Sequence, residues 1–194
     1  MAARFLVAIL VGTVLAFAWG AVSWTSGIYD FAFRPMPGGG DAAARMAAGV
    51  EEDGAFIHPS PPATEGLGAR QAELAAQAYM EEHRRGPLVM VLVRREGVDA
   101  AGPTVLARGF VIELFCTSLL AAIVALACRL GARRRERIAL AIVVPAFAMI
   151  ATHGVLWNFL HLPAGYSMAL FVDGFVAWTL AGLACALIIR PGRA

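Results

Sequence analysis

Charged residues are scarce in this chain, and lysine is absent. Only 15% of the 194 residues are charged and 59% are hydrophobic, whereas a soluble domain usually carries about 25% charged residues. The mean hydropathy is +0.69. This composition excludes an ordinary soluble domain, and we expect an integral membrane protein. The lack of lysine beside abundant alanine, glycine and arginine is typical of a GC-rich bacterial genome.

Cysteine is also rare, and its placement excludes two kinds of chemistry. The three cysteines all fall in apolar stretches, and no C-x-x-C motif is present. Disulfide exchange and a thiolate metal site therefore lack their ligands. The sequence also lacks a phosphate-binding P-loop, a G-x-S-x-G elbow and an H-E-x-x-H zinc motif. We predict no catalytic residue, metal or cofactor.

Four long apolar segments define the predicted architecture. A bilayer core of ~30 Å needs roughly 20 apolar residues in a helix. The first segment is too long for a signal peptide, whose apolar region covers ~7 to 15 residues, so we interpret it as an uncleaved anchor. We predict a membrane all-α fold with four transmembrane helices and a small α+β extracytoplasmic domain inserted between helices 1 and 2. The predicted spans are 5–24, 109–128, 138–158 and 167–189, and the predicted domains are 1–26, 27–104 and 105–194.

Arginines predict the orientation, because short cytoplasmic loops retain positive charge. Arg4, the arginines in 129–137, Arg190 and Arg193 fall on one side if the helices alternate. We expect a bacterial inner-membrane protein with both termini cytoplasmic and residues 27–104 periplasmic. The "GARRRER" stretch between helices two and three has two interpretations. It is either a topology signal or a site for anionic lipid headgroups.

The predicted outer domain contains an unusual strand. The patterns indicate a short helix at 41–49, a strand at 54–59, a helix at 68–86 and a second strand at 87–97. The apolar run of this second strand does not alternate, so both faces should be covered. The helix can cover one face, and the "YDFAFRPMP" segment as a third strand, the helical bundle or another protein can cover the other. The interface candidates on the strand are Leu88, Val89, Met90, Val91, Leu92 and Val93.

Glu113, His153 and Asp173 are titratable residues inside predicted spans. Each lies 16 or 17 residues from the arginine at the inner end of its helix, roughly 24 to 26 Å at ~1.5 Å per residue. Small residues continue from both acids at intervals of four, and helices approach closely along such ridges. We therefore expect the three side chains to face the bundle interior and meet in the outer third of the bilayer. Gly12 and Gly20 mark a similar ridge on helix one and are predicted interface positions.

The predicted cluster has three interpretations. It can be a structural polar knot that fixes the helix register, a proton-handling or ligand-binding group, or a metal or haem site. The metal interpretation lacks an E-x-x-H pair on one helix turn. A bis-histidine haem needs a second buried histidine, and His161 falls in an outer turn.

The first part of the chain resembles a group of uncharacterised bacterial inner-membrane proteins. Its "WGAVSW" helix end, the proline-bearing "FRPMPGGGDAAARMAAG" and the "DGAFIHP" strand follow that group's W-G-x-x-S-W, proline-rich turn and G-V-Y-x-x-P-like strand. The resemblance covers roughly residues 15–60, with "GAF" in place of "GVY". It implies the same topology and no particular activity.

Two functions follow as hypotheses. The first is a non-catalytic accessory or assembly subunit that docks on a larger membrane complex, with membrane lipids and a protein partner or a second copy as partners and no nucleic acid. The alternative is a small membrane enzyme or transporter that uses Glu113, His153 and Asp173. The half-covered strand, the small-residue ridges and the lack of a complete catalytic set favour the first hypothesis.

Overall fold

A computed structural model describes residues 2–190 of the chain; Arg193, used above for orientation, lies outside them. The described part is mainly helical, with one small sheet. Its elements in chain order are α1 (Ala2–Thr25), α2 (Gly39–Ala48), β1 (Gly54–His58), α3 (Ala69–Arg85), β2 (Val89–Val93), α4 (Pro103–Arg129), α5 (Arg134–Met149), a π-helical turn (Ile150–Gly154), α6 (Val155–Phe159) and α7 (Ala164–Ile188).

Four helical segments are long and apolar enough to cross a membrane, which confirms the prediction of a multi-pass membrane protein. They are α1, α4, the run Arg134–Phe159 and α7. Helix α4 begins at Pro103, six residues before the predicted span. Proline suits the first turn of a helix because its missing N–H has no intrahelical partner there. The predicted span begins after Arg108 and therefore misses this first turn.

The third membrane-length segment is not one regular helix. Pro145 lies inside α5 and is buried, and a proline in this position removes one backbone hydrogen bond. The π-helical turn Ile150–Gly154 follows and contains His153. The sequence predicted a single helix here, because hydropathy does not reveal a change in the hydrogen-bonding pattern.

Helix α7 packs against α1, α4 and α5. Its small-residue ridge is buried as expected, at Ala169, Ala177, Ala181 and Cys185. A Cβ added at Gly12 of α1 would lie 2.7 Å from Thr117 Cγ2 and 3.1 Å from the carbonyl oxygen of Ala181. A Cβ added at Gly20 would meet no atom within 4 Å. The helices therefore approach closely at Gly12, whereas the space beside Gly20 is open.

The described chain divides into two compact units. The helical unit contains residues 2–34 and 99–190, and the small unit contains residues 35–98. Residues 27–34, which the sequence placed in the outer domain, belong to the helical unit. Tyr29 to Phe33 form turns, so the third strand considered for the "YDFAFRPMP" segment does not form. Its aromatic side chains pack within the helical unit instead.

The small unit has a two-stranded antiparallel sheet and two helices. Strands β1 and β2 pair in the register Phe56 to Val91, and no further strand joins them within residues 2–190. His58 Nε2 lies 3.6 Å from Glu82 Oε1 of α3. Within residues 35–98 only Pro59 is buried. This unit therefore has almost no hydrophobic core of its own.

Candidate functional site

Asp173 forms the most connected polar group in the helical unit. It lies on α7 and is half-buried. Alanines at 169 and 177, one turn away on either side, are both buried. Because residues four apart share a ridge of a helix, this ridge directs Asp173 toward the bundle interior. The expected orientation of the acid is therefore observed.

Three side chains donate hydrogen bonds to this carboxylate. Ser23 Oγ lies 2.7 Å from Oδ1 and Tyr29 Oη lies 3.2 Å from the same oxygen. Trp24 Nε1 lies 2.9 Å from Oδ2. Hydrogen bonds to an ionised acceptor are stronger than those between neutral groups. Since both oxygens accept hydrogen bonds, the carboxylate links α7 to the end of α1 and the turn that follows.

The three donors differ in exposure. The exposed fraction is 1% for Ser23 and 7% for Tyr29, whereas Trp24 is 48% exposed. Burial raises the pKa of the Tyr29 phenol, and the neighbouring Asp173 carboxylate raises it further. The phenol therefore remains a neutral donor at ordinary pH. Asp173 therefore accepts hydrogen bonds from two buried hydroxyl groups, of which Ser23 also has the carbonyl oxygen of Gly20 at 3.2 Å.

The turn after α1 has a local reason to fold back. Gly27 has a φ of +79°, which glycine adopts without steric cost, and Asp30 N donates to its carbonyl oxygen at 3.1 Å. Aromatic rings then form a continuous series. The ring centroids are 5.3 Å apart for Trp24 and Tyr29, 5.2 Å for Trp24 and Phe33, and 5.4 Å for Phe33 and Tyr166. These edge-to-face contacts hold the turn against the start of α7.

Glu113 lies near this group on α4. Thr117 and Ala121, which follow it on the same ridge, are both buried. One carboxylate oxygen of Glu113, Oε2, is buried and accepts no hydrogen bond within residues 2–190. Helix α4, which carries Glu113, packs against α7, which carries Asp173. Within the described residues, Glu113 has none of the donors that surround Asp173.

The hydrogen bonds expected between His153 and the two acids are the next feature of the site. His153 is half-buried in the π-helical turn. Among residues 2–190, no hydrogen bond or ion pair joins His153 to Glu113 or Asp173. No three His, Cys, Asp or Glu side chains of the described chain are grouped so that they could hold a metal ion. Within the described residues, neither acid therefore has a direct bond from the histidine.

Sequence reasoning missed the residues that bind Asp173. Ser23 and Trp24 belong to the "WGAVSW" helix end, which entered the predictions only through the resemblance, and Tyr29 falls within the predicted outer domain. The depth count was applied only to titratable residues. Ser23 lies 19 residues from Arg4, so the same count would have placed its hydroxyl close to the level of the acids.

Comparisons with known proteins give no relative for this chain. No protein-family model matches it, and neither do curated proteins or solved structures.

The predicted interface strand lies in the small unit. Leu88, Val89 and Leu92 are exposed, while Met90, Val91 and Val93 are half-buried. Opposite residues of an antiparallel pair share a face, so the register places Ile57, Met90 and Leu92 on one face. Leu92 is 72% exposed and Ile57 is exposed as well. This surface, which we call the open sheet face, is apolar and uncovered within the small unit.

Proposed function

We propose that this protein is a non-catalytic accessory or assembly subunit of a larger membrane complex. The observation that carries the proposal is the open sheet face of Ile57, Met90 and Leu92 in a unit with almost no buried residues. Two strands without a covered hydrophobic face are marginal in water. An apolar face of this kind is stabilised when a partner protein or a second copy of the chain covers it.

The polar residues of the helical unit support a structural role. An acid that acts as a base or nucleophile needs an oxygen free to meet its substrate. Both oxygens of Asp173 already accept hydrogen bonds from Ser23, Trp24 and Tyr29. We infer that Asp173 fixes the outer end of α1 against α7.

The proposed location is a bacterial inner membrane. Exposed arginines at 129, 133, 134 and 135 lie at the α4–α5 connection, and short arginine-rich connections are retained in the cytoplasm. The α4–α5 connection and both termini are then cytoplasmic, and residues 27–104 are periplasmic. In this orientation the open sheet face meets periplasmic parts of a partner.

A matched pair of substitutions tests the docking proposal. Leu92→Arg places a charge on the open sheet face, where the exposed leucine leaves room for it. Thr64→Arg adds the same charge to an exposed connector of the small unit, away from both strands. We expect Leu92→Arg to reduce the yield of the complex purified in mild detergent at least several-fold, while Thr64→Arg leaves it unchanged. Equal yields for wild type and both variants would exclude docking through this face.

Glu113 supports a second candidate function, a small enzyme or transporter that handles a proton or a ligand. Its buried Oε2 has no hydrogen-bond partner among residues 2–190, and its helix α4 packs against α7, which carries Asp173. Intramembrane carboxylates with such surroundings are common in proton relays. Glu113→Gln keeps the shape of the side chain and removes its charge. This candidate predicts that the variant folds and assembles but no longer handles the proton or binds the ligand. The accessory role predicts an unchanged yield of the complex and no such loss.

A further inference from the structure

A buried arginine lies at the other end of the helical unit. Arg137, in the first turn of α5, is 5% exposed. Its Nη1 atom donates to the carbonyl oxygen of Ala132 and to Cys128 Sγ, both at 3.3 Å. The side chain therefore turns back toward the α4–α5 connection, as helical side chains do toward the N-terminus. Its positive charge also suits the carbonyl groups at the end of α4.

One edge of this guanidinium group is not used. Within residues 2–190 both hydrogen bonds of Arg137 are made by Nη1, and Nε is buried without a partner. No carboxylate of the described chain forms an ion pair with it. Nε and Nη2 form the edge with which arginine binds a phosphate or carboxylate through two parallel hydrogen bonds. A buried charge without a counter-charge is costly, so a bound anion would relieve that cost.

The surroundings favour an anion. Four exposed arginines, at 129, 133, 134 and 135, lie in the same connection. The single acid among them is Glu136, and its Oε2 accepts a hydrogen bond from the backbone N of Arg133 at 2.7 Å. The start of α5 is already capped, because Glu136 N donates to the carbonyl oxygen of Arg133 at 3.0 Å. Within the described residues, the exposed arginines and the unpaired edge of Arg137 are therefore the groups that favour an anion.

We propose that the Nε and Nη2 edge of Arg137, in the first turn of α5, binds one phosphate group. The phosphate belongs either to the headgroup of an anionic lipid or to free inorganic phosphate. The connection lies at the end of two membrane-length helices, where headgroup phosphates are found, and arginine clusters in this position attract anionic lipids. This site is independent of the proposed accessory function and of the open sheet face.

The first experiment uses the wild-type protein. We expect native mass spectrometry of the full chain, delipidated and then mixed with equal amounts of phosphatidylglycerol and phosphatidylcholine, to retain one phosphatidylglycerol in clear preference. A rise in Tm with inorganic phosphate, in detergent containing only phosphatidylcholine, would instead assign the site to the free anion. Equal retention of both lipids together with no effect of inorganic phosphate would overturn the proposal.

Two conservative substitutions then locate the site. Arg137→Lys keeps the charge and loses the two-donor edge, whereas Arg134→Lys makes the same change at an exposed position. We expect binding to weaken about tenfold in Arg137→Lys, roughly the effect of one charge-assisted hydrogen bond, and to remain unchanged in Arg134→Lys. Equal weakening in both variants would show diffuse attraction only and would overturn the site.

A third measurement covers the case in which Arg137→Lys does not fold. Hydrogen exchange of wild-type residues 129–137 is compared in nanodiscs of phosphatidylglycerol, of phosphatidylcholine, and of phosphatidylcholine with inorganic phosphate. Slower exchange of the amides that begin α5 in phosphatidylglycerol, or in phosphatidylcholine with inorganic phosphate, than in phosphatidylcholine alone supports the site. Identical exchange in all three samples contradicts it.

Discussion

Removing the Asp173 carboxylate should destabilise the helical unit measurably. In Asp173→Ala, the Tyr29 hydroxyl, 7% exposed, loses its acceptor. An unsatisfied buried donor costs about 1 to 3 kcal/mol. Ser23 Oγ retains the carbonyl oxygen of Gly20 at 3.2 Å, and the half-exposed Trp24 can find another acceptor. We therefore expect a loss of about 2 to 3 kcal/mol in the free energy of unfolding.

A double-mutant cycle tests whether the destabilisation comes from the lost acceptor of Tyr29 or from the removal of any polar group at position 173. Tyr29→Phe removes the hydroxyl that has no acceptor in Asp173→Ala. The double variant Tyr29→Phe with Asp173→Ala should therefore be no less stable than Asp173→Ala alone. The expected coupling between the two positions is about 1 to 2 kcal/mol. His153→Leu is the comparison, because no direct bond joins His153 to Asp173 within the described residues, and it should not rescue Asp173→Ala.

Unfolding of the detergent-solubilised protein by a denaturing detergent, followed by tryptophan fluorescence, measures these free energies. Two results would refute the reasoning. The first is a loss below about 0.5 kcal/mol for Asp173→Ala, which would mean that the three hydrogen bonds contribute nothing measurable. The second is rescue by His153→Leu in place of Tyr29→Phe, which would restore the histidine cluster expected from the sequence.

Three further predictions concern other parts of the chain. Gly12→Ala should cost about 1 to 3 kcal/mol, because its Cβ would collide with neighbouring helices. Gly20→Ala should be nearly neutral in the same unfolding measurement, and equal effects would contradict the packing described. The pKa of Tyr29 is raised above its ordinary value of 10.0, so the folded state holds this proton more tightly. Its contribution to stability should therefore be constant below about pH 10 and fall as the pH rises further. Tyr29→Phe should remove that fall, and an unchanged alkaline profile in the variant would contradict it. Reporter fusions after Arg135 and after Pro62 should report opposite sides of the membrane, and matching signals would refute the proposed orientation.

The helical architecture was predictable because its causes are local. Length and hydropathy alone define the four membrane-length helices. The four-residue spacing of alanines around Asp173 predicted which face of α7 is buried, since small residues in a membrane helix mark close packing. The start of α4 at Pro103 and the π-helical turn around His153 depend on backbone hydrogen bonding, which hydropathy does not report.

The partners of Asp173 were not predictable by the same means. Ser23 and Trp24 are about 150 residues away in sequence, and Tyr29 reaches the carboxylate only because the turn after α1 folds back at Gly27. The depth count along each helix grouped the titratable residues at one level. The depth of a residue does not tell which face of its helix it lies on. The count therefore could not show that Ser23 of α1, and not His153, contacts Asp173.

The accessory role is tested most directly by native mass spectrometry of the wild-type protein released from its own membrane in mild detergent. The account predicts a defined complex containing this chain and a second protein chain or another copy of itself. That complex should be lost in Leu92→Arg and retained in Thr64→Arg. The account would be contradicted by a single chain that carries a stoichiometric metal, haem or quinone. That bound group would be retained in Leu92→Arg and lost in Glu113→Gln.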